Sequence, residues 1–438
     1  IAADPAVAPL QLDTAAAADL VARHPRWGRA MVTLHRAGIA QRQAVAALSD
    51  RLSQDPFVAE AVHDLLTRIT AIRSAAEILE SVEGLDGVQR QRFVGIVAQD
   101  SRRLSQVAQA LTGFLGQGTA TRAPATPAAE VDDFLTDRGN HFPRLETAAE
   151  ALAATIGAPA LLEQHLQAAC GVTVREAALQ GDDAAAPSFD AAARVLALPA
   201  HTGAASRRFA LARTACELAC APAVRAELDG GTFATPAARQ RAHGALMAYT
   251  AAALLMPYEA FREAAAAARY DIDVLARRFG ASFEQVCHRL ATLRRPGAEG
   301  IPFGFMRTDP SGFVTKRLPL PRLPLPRWGN ACPLWAVHGA FRSPGSIVRQ
   351  LVEFPGADRY LMVARAVEKD GAGFGAPQRL LSVMLFCDAV HADRTVYGDG
   401  LDLSPRAPAT PVGQACRVCV RRGCAWRQEQ AMFDAGMY

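Results

Sequence analysis

Apolar positions recur every three or four residues over most of the first 293 positions and every second residue beyond them, so the chain reads as mainly α with a C-terminal α+β domain. Residues 1–12 read as a linker. From Asp13 to about Ser53, Leu20, Val21, Met31, Leu34 and Ala40 mark one helical face, and Asp55-Pro56 punctuates it. Two helices follow: Leu65, Ile69, Ile72, Ala76 and Leu79 stripe the first, and Phe93, Ile96, Val97, Leu104, Val107 and Leu111 the second. With turns at Glu83-Gly84 and Asp86-Gly87 they form a hairpin over 54–116 whose stripe needs a partner. A homodimeric four-helix bundle would bury it.

Residues 117–130 are a Gly-, Pro-, Ala- and Thr-rich linker. Helical spacing resumes over 131–296, interrupted at 172–200 by two or three short strands, with a long helix predicted from Ser206 to about Leu228. Within 297–438, IPFGFMRTDPSGFVTKRL predicts two strands about an Asp-Pro-Ser-Gly turn. SIVRQLVEF, RYLMVARAV and QRLLSVMLFC add three more, giving an antiparallel sheet that ends in a cysteine cluster.

Composition narrows the class. The 438 residues suffice for two to four domains, and half are hydrophobic. A net charge of +4 does not by itself make a nucleic-acid binder. Basic residues are almost all arginine, Lys316 and Lys369 being the two lysines. No run of eighteen apolar residues and no signal peptide is visible, so neither a membrane span nor a secreted, disulfide-rich domain is expected.

Closely spaced thiols then read as metal or cluster ligands. Cys416, Cys419 and Cys424 form a C-x2-C-x4-C cluster, and Cys332 in NACPLW and Cys387 in FCDAVHADR stand upstream. Three clustered thiolates and one distant one make a four-thiolate site for zinc or iron–sulfur, and spacing does not choose between them. The alternative, inert buried cysteines, fits poorly with Arg417, Arg421 and Arg422 beside them.

Other motifs fail on inspection. The frame of the zinc-peptidase motif H-E-x-x-H reads Arg213-Thr214-Ala215-Cys216-Glu217, so both metal histidines are gone and no enzyme is expected. Cys216 and Cys220 read as a packed helix face. DIDVLARRFGASFEQVCHRLATL has helix–turn–helix rhythm about Gly280, but packing accounts for it better than DNA reading, and for Cys287 and His288 likewise.

Two resemblances add to this reading. HDLLTRITAI is similar to the phosphoacceptor box of sensor histidine kinases and DSRRLSQVAQAL to that hairpin's second helix. The likeness implies His63 as phosphoacceptor and Asp64 as the acid that activates it, hence an alternative function as a phosphorelay component. Leu66 stands where the family has a basic residue and Arg68 where it has a kinking proline, and no glycine-rich nucleotide-binding domain follows.

More extensively, DDFLTDRGNHFPRLETAAEALA, IPFGFMRTDPSGFVTKR, CPLWAVHGAF, FCDAVHADRTVYGDGLDL and CRVCVRRGC resemble the short-chain fatty acyl transcriptional regulators. That family includes regulators of propionate and acetate metabolism. The resemblance implies a cytoplasmic one-component regulator with a degenerate zincin-like helical middle domain and a sensory C-terminal domain. It implies DNA binding by a helix–turn–helix upstream of Ile1, with residues 1–53 as the helical linker that follows it. It also implies an acyl-CoA-type ligand and a 4Fe-4S cluster, with zinc as the alternative. The cluster ligands would be Cys332, Cys416, Cys419 and Cys424, with Cys387 as substitute. Arg307, Lys316, Arg317 and Arg365 are the candidates for the phosphates of the ligand, and Trp335 for its adenine or acyl wall.

Overall fold

The structure, a computed structural model, describes residues 19, 21–28, 30–31, 56–81, 86–116, 126–177, 187–200, 202–320, 323, 325–326, 330–355, 357–369, 379–404 and 406–430. Expectations over 1–18 and 32–55, the Glu83-Gly84 turn and the side chain of His63 lie outside them. The described chain divides into two compact units, the hairpin region 33–125 with 326–329, and the remainder.

In the hairpin unit, α1 (Pro56–Ser81) packs along α2 (Gly87–Gly116). Arg68 ties them: its guanidinium lies 2.8 Å from Asp64 on α1 and 3.1 Å from Asp100 on α2. Arginine keeps the backbone N–H that proline lacks, so α1 runs through this position. Phe93, Ile96, Val97, Leu104 and Val107 are half-buried within one chain, while Leu66, Ile69, Val88 and Val94 are exposed.

The larger unit begins with α3 (Pro127–Asp137), α4 (Pro143–Ile156) and α5 (Leu162–Ala168). Thr126 caps α3 by accepting from the Ala129 amide, and Pro127 suits its first turn. Strands β1 (Thr173–Ala177), β2 (Ser188–Asp190) and β3 (Val195–Pro199) make a small sheet in the order β1-β3-β2, with β1 parallel to β3. The long helix expected from Ser206 is two, α6 (Ala204–Ala219) and α7 (Ala221–Asp229). The chain leaves helical geometry at Cys220, two residues before Pro222, whose ring favours the start of a new helix. Helix α8 (Pro236–Leu255) is buried along all of Tyr249–Leu255, and its alanines let neighbouring helices approach closely.

Helices α9 (Tyr258–Ala267), α10 (Ile272–Phe279) and α11 (Phe283–Ala291) complete the helical layer. Gly280 ends α10 at φ +58°, and Ser282 with Gln285 closes a reciprocal cap on α11. The helix–turn–helix rhythm is packing: Phe283, Val286, Cys287, Arg289 and Leu290 of α11 are buried and face no solvent that DNA could occupy.

Strands β4 (Gly304–Thr308), β5 (Val314–Leu318), β6 (Val348–Glu353), β7 (Arg359–Lys369), β8 (Arg379–Asp388) and β9 (Thr410–Pro411) form a six-stranded sheet in the order β5-β4-β8-β7-β6-β9. It is mixed rather than wholly antiparallel, since β9 joins β6 in parallel. Both faces are buried. Phe305, Leu361, Val363, Val383, Leu385 and Cys387 pack on the helices, and Met306, Met362, Ala364, Met384 and Phe386 pack beneath the short helix α12 (Ala336–Gly339) and Trp335. Period-two alternation thus assigns successive residues to two different cores, and the segments on either side of position 296 share the first of them.

Candidate functional site

Two features stand out in the larger unit. The first is the cysteine site. Cys332, from the loop before α12, lines one small cavity with Cys416, Cys419 and Cys424 from the C-terminal segment. The loops are tied together through their backbones: the Cys332 amide donates to Gln414 O at 2.9 Å, and the buried Trp335 indole donates to Gly413 O at 2.9 Å. Arg427 donates to the carbonyls of Cys416, Cys419 and Arg421, and Arg421 to those of Val412 and Glu353. The flanking arginines therefore satisfy backbone carbonyls that would otherwise be orphaned in a segment with almost no regular structure.

A methyl group on Gly413 would stand 2.6 Å from the Cys419 sulfur, so only glycine lets this backbone pass the thiol. The Gln428 amide donates to Cys416 Sγ at 3.4 Å. Burial raises the Cys332 thiol above its ordinary pKa; the Gly413 and Leu334 amides pull it back and the Cys416 and Cys419 thiols add to the rise. Among the described residues, no three His, Cys, Asp or Glu side chains are grouped closely enough to hold a single metal ion. The enclosed space is small, about 10 Å³, so a multinuclear group would have to spread the C-terminal loop, where Cys416 and Cys424 are only half-buried. Four thiols on the lining of one cavity are nonetheless of the donor type that a thiophilic centre takes.

Cys387 does not join them. It lies on the helix-facing side of β8, where burial pushes its thiol up to about 12.

The second feature is a cavity of about 820 Å³ walled by β2, β3, α6, α8, α11, β5 and β7. This falls in the range of small-molecule sites. Arg213 and Glu217, in the positions of the two missing zinc histidines, both line it, as do Phe189, Phe209, Phe283 and His288. Of the five ligand candidates only Lys316 reaches this cavity. Arg307 is drawn to Glu284 at 2.5 Å, Arg317 to Asp132 at 2.7 Å, and Arg365 makes a two-pronged pair with Asp273 at 2.7 Å while stacking over Phe283. Trp335 is a core side chain, edge-on to Phe354 and without an exposed face for adenine.

Sequence reasoning missed Lys369, Glu284 and His288 as cavity residues. Burial would raise the Glu284 carboxyl, but Lys369 and Arg307 overcome it and hold the group below the usual carboxylate range. Burial, and then Lys316, Arg289 and Arg307, keep His288 neutral. The available signal was the i, i+4 spacing of Arg213 and Glu217, which puts both on one helix face.

The architecture is that of a peptidase-like helical scaffold that has lost its metal ligands and is fused to a doubly buried sheet. Residues 167–291 match the IrrE N-terminal-like domain, and residues 292–435 match the short-chain fatty acyl coenzyme A regulator C-terminal domain. The chain belongs to the short-chain fatty acyl-CoA regulator family. It is 40% identical over 330 residues to the propionyl-CoA carboxylase regulator of Cereibacter sphaeroides, covering 75% of this chain and 69% of the relative. It is 35% identical to the HTH-type transcriptional regulator PrpR of Mycobacterium tuberculosis, over 74% and 69% of the two chains. A solved Mycobacterium tuberculosis transcriptional regulator superposes with a TM-score of 0.67 at 35% identity, over 71% of this chain and 95% of that one. Among the described residues no single helix is long and apolar enough to cross a membrane.

Proposed function

We propose that this chain is the effector-sensing part of a transcriptional regulator of short-chain fatty acid metabolism. It takes an acyl-CoA-type ligand into the 820 Å³ cavity and carries an iron–sulfur cluster on Cys332, Cys416, Cys419 and Cys424. The observation that carries the reading is the cavity itself, which occupies the former catalytic face with Arg213 and Glu217 in place of metal histidines. Such a site binds without hydrolysing. Its phenylalanines suit an acyl chain and its cations the phosphates of a coenzyme A moiety.

Four thiols lining one cavity suit either a cluster or a single zinc, and the resemblance to the family favours the cluster. When bound, the cluster would supply an oxidant-sensitive tie between the α12 loop and the C-terminal segment. DNA is the macromolecular partner of such a regulator, and the exposed Leu66, Ile69, Val88 and Val94 support pairing of two α1–α2 hairpins in a homodimer. The relatives named above are transcriptional regulators, so a phosphorelay role for His63 is not favoured.

Two measurements test the reading. Calorimetric titration with propionyl-CoA should give one saturable site per chain, and no heat up to millimolar ligand would sink the sensor. Anaerobic purification should give a brown protein with about four irons per chain, lost in Cys332→Ser. A colourless protein with one zinc would replace the cluster with a structural metal.

A further inference from the structure

Of the 47 lysine and arginine residues in this chain only Lys316 and Lys369 are lysines, and both line the same cavity. Every other basic position is filled with a guanidinium, which stays protonated in any protein environment; an amine can shed its proton and become a nucleophile. The two lysines are not equivalent. Lys369 Nζ is ion-paired with Glu284 Oε2 at 2.6 Å. The Lys316 side chain makes no hydrogen bond or ion pair among the described residues; its nitrogen lies 6.0 Å from the centroid of the Phe305 ring. It is therefore an amine with no hydrogen-bonded or ion-paired partner, over the Phe305 ring, on the wall of a cavity it shares with three phenylalanines and with Arg213, Glu217, Glu284, Glu368 and Lys369.

We infer that Lys316 is a covalent acceptor, taking the acyl group from a short-chain acyl thioester bound in the cavity. The inference rests on the acyl-thioester reading of that cavity. The amine lone pair attacks the thioester carbonyl carbon. The new C–N bond forms as the C–S bond breaks, the electron pair leaves on sulfur, and the proton lost by nitrogen ends on the departing thiol. The products are an amide on Lys316 and free coenzyme A, and no oxidant or further reactant is needed.

Burial favours the reactive form by lowering Lys316 to about 8, with Glu284 and Asp132 pulling it up and Arg307 and Lys369 pushing it down. The neutral His288 adds no charge to this wall. Acylation would remove one positive charge beside Glu284 and leave a mark that outlasts the ligand.

The test is incubation of the full chain with propionyl-CoA, following intact mass, peptide maps and released thiol, with calorimetric binding measured in parallel. The expected result is one propionyl group per chain on Lys316, matched by one thiol released. The rate should rise about tenfold from pH 7 to pH 9 and level off, as an amine near 8 requires, whereas an ordinary lysine would rise about a hundredfold. Lys316→Arg, whose guanidinium cannot attack the thioester, should lose the label, while Lys369→Arg, which keeps the other amine's charge, should retain it. Saturable binding without a Lys316 adduct, or label spread equally over Lys369 and the cysteines, overturns the capture and leaves the sensor reading standing. Absence of any saturable binding overturns both.

Discussion

Glu146 and Glu284 are both carboxylates buried against cations, and they do different work. Glu146 is almost wholly inaccessible. Its oxygens accept from Arg289 at 2.6 and 2.9 Å and from Tyr249 at 2.5 Å, while Arg289 Nε donates to Met256 O. Burial pushes this carboxyl up, and Arg289 more than offsets it, leaving it below the usual range. The partners are matched and the group is sealed. Glu284 accepts from Arg307 and Lys369, whose side chains remain 24% and 39% exposed, and it sits on a cavity wall with Lys316 nearby and unpaired. One site closes its charge balance and holds α4, α8 and α11 together. The other leaves Lys316 without a hydrogen-bonded partner beside open space, which is what an anionic ligand or a reactive amine can use. Incomplete pairing beside a cavity, rather than burial alone, distinguishes the site from the scaffold.

Arg289→Met breaks the sealed pair and leaves Glu146 buried without a counter-charge. It should cost about 3–5 kcal/mol in urea unfolding, while Glu146→Met with Arg289→Met should recover most of that loss. A small effect of the single change would mean that water reaches Glu146 and that the contrast is false. Glu284→Gln should cost less, about 1–3 kcal/mol, because its partners reach solvent. It should also raise the affinity for an anionic ligand by leaving Lys369 free.

The acid limb sharpens the same contrast. Both carboxylates are lowered in the folded chain, so their stabilisation is complete above the unfolded carboxylate value, about 4.3, and is lost as pH falls through their folded values. Glu284→Gln should remove its share of that acid loss. Lys316 runs the other way. With a folded value of about 8 against an unfolded value near 10.4, this group binds more protons in the unfolded chain between them, so its own contribution to stability rises with pH across that window. Lys316→Met should remove this contribution, seen as a more negative slope of the urea midpoint with pH than in the parent chain, since buried thiols such as Cys387 act in the opposite direction. The smallest effect is expected from Arg73→Ala, which removes a solvent-exposed pair with Glu77 and should leave the urea midpoint unchanged.

The local features were legible in the sequence because they depend on near neighbours. Alternation marked β4 to β8, Gly280 marked the turn between α10 and α11, and the Arg213–Glu217 frame gave away the missing zinc site. The α6–α7 break was missed because the apolar spacing runs through Cys220, and only the Pro222 ring argued for a new helix. The spacing of Cys416, Cys419 and Cys424 and the scarcity of lysine were likewise present in the chain itself.

Which residues meet was a tertiary matter. Cys332 joins the C-terminal thiols through contacts that no local pattern encodes, and Cys387 is excluded by strand register. Opposite Leu361 on β7, it falls on the parity that faces the helices, whereas Cys332 belongs to the core on the other face. A shift of one residue would reverse that assignment, because side chains alternate across a sheet. Arg307, Arg317 and Arg365 looked as available as Lys316 until folding brought Glu284, Asp132 and Asp273 to them. A single chain lists its charges, and only packing decides which remain unpaired.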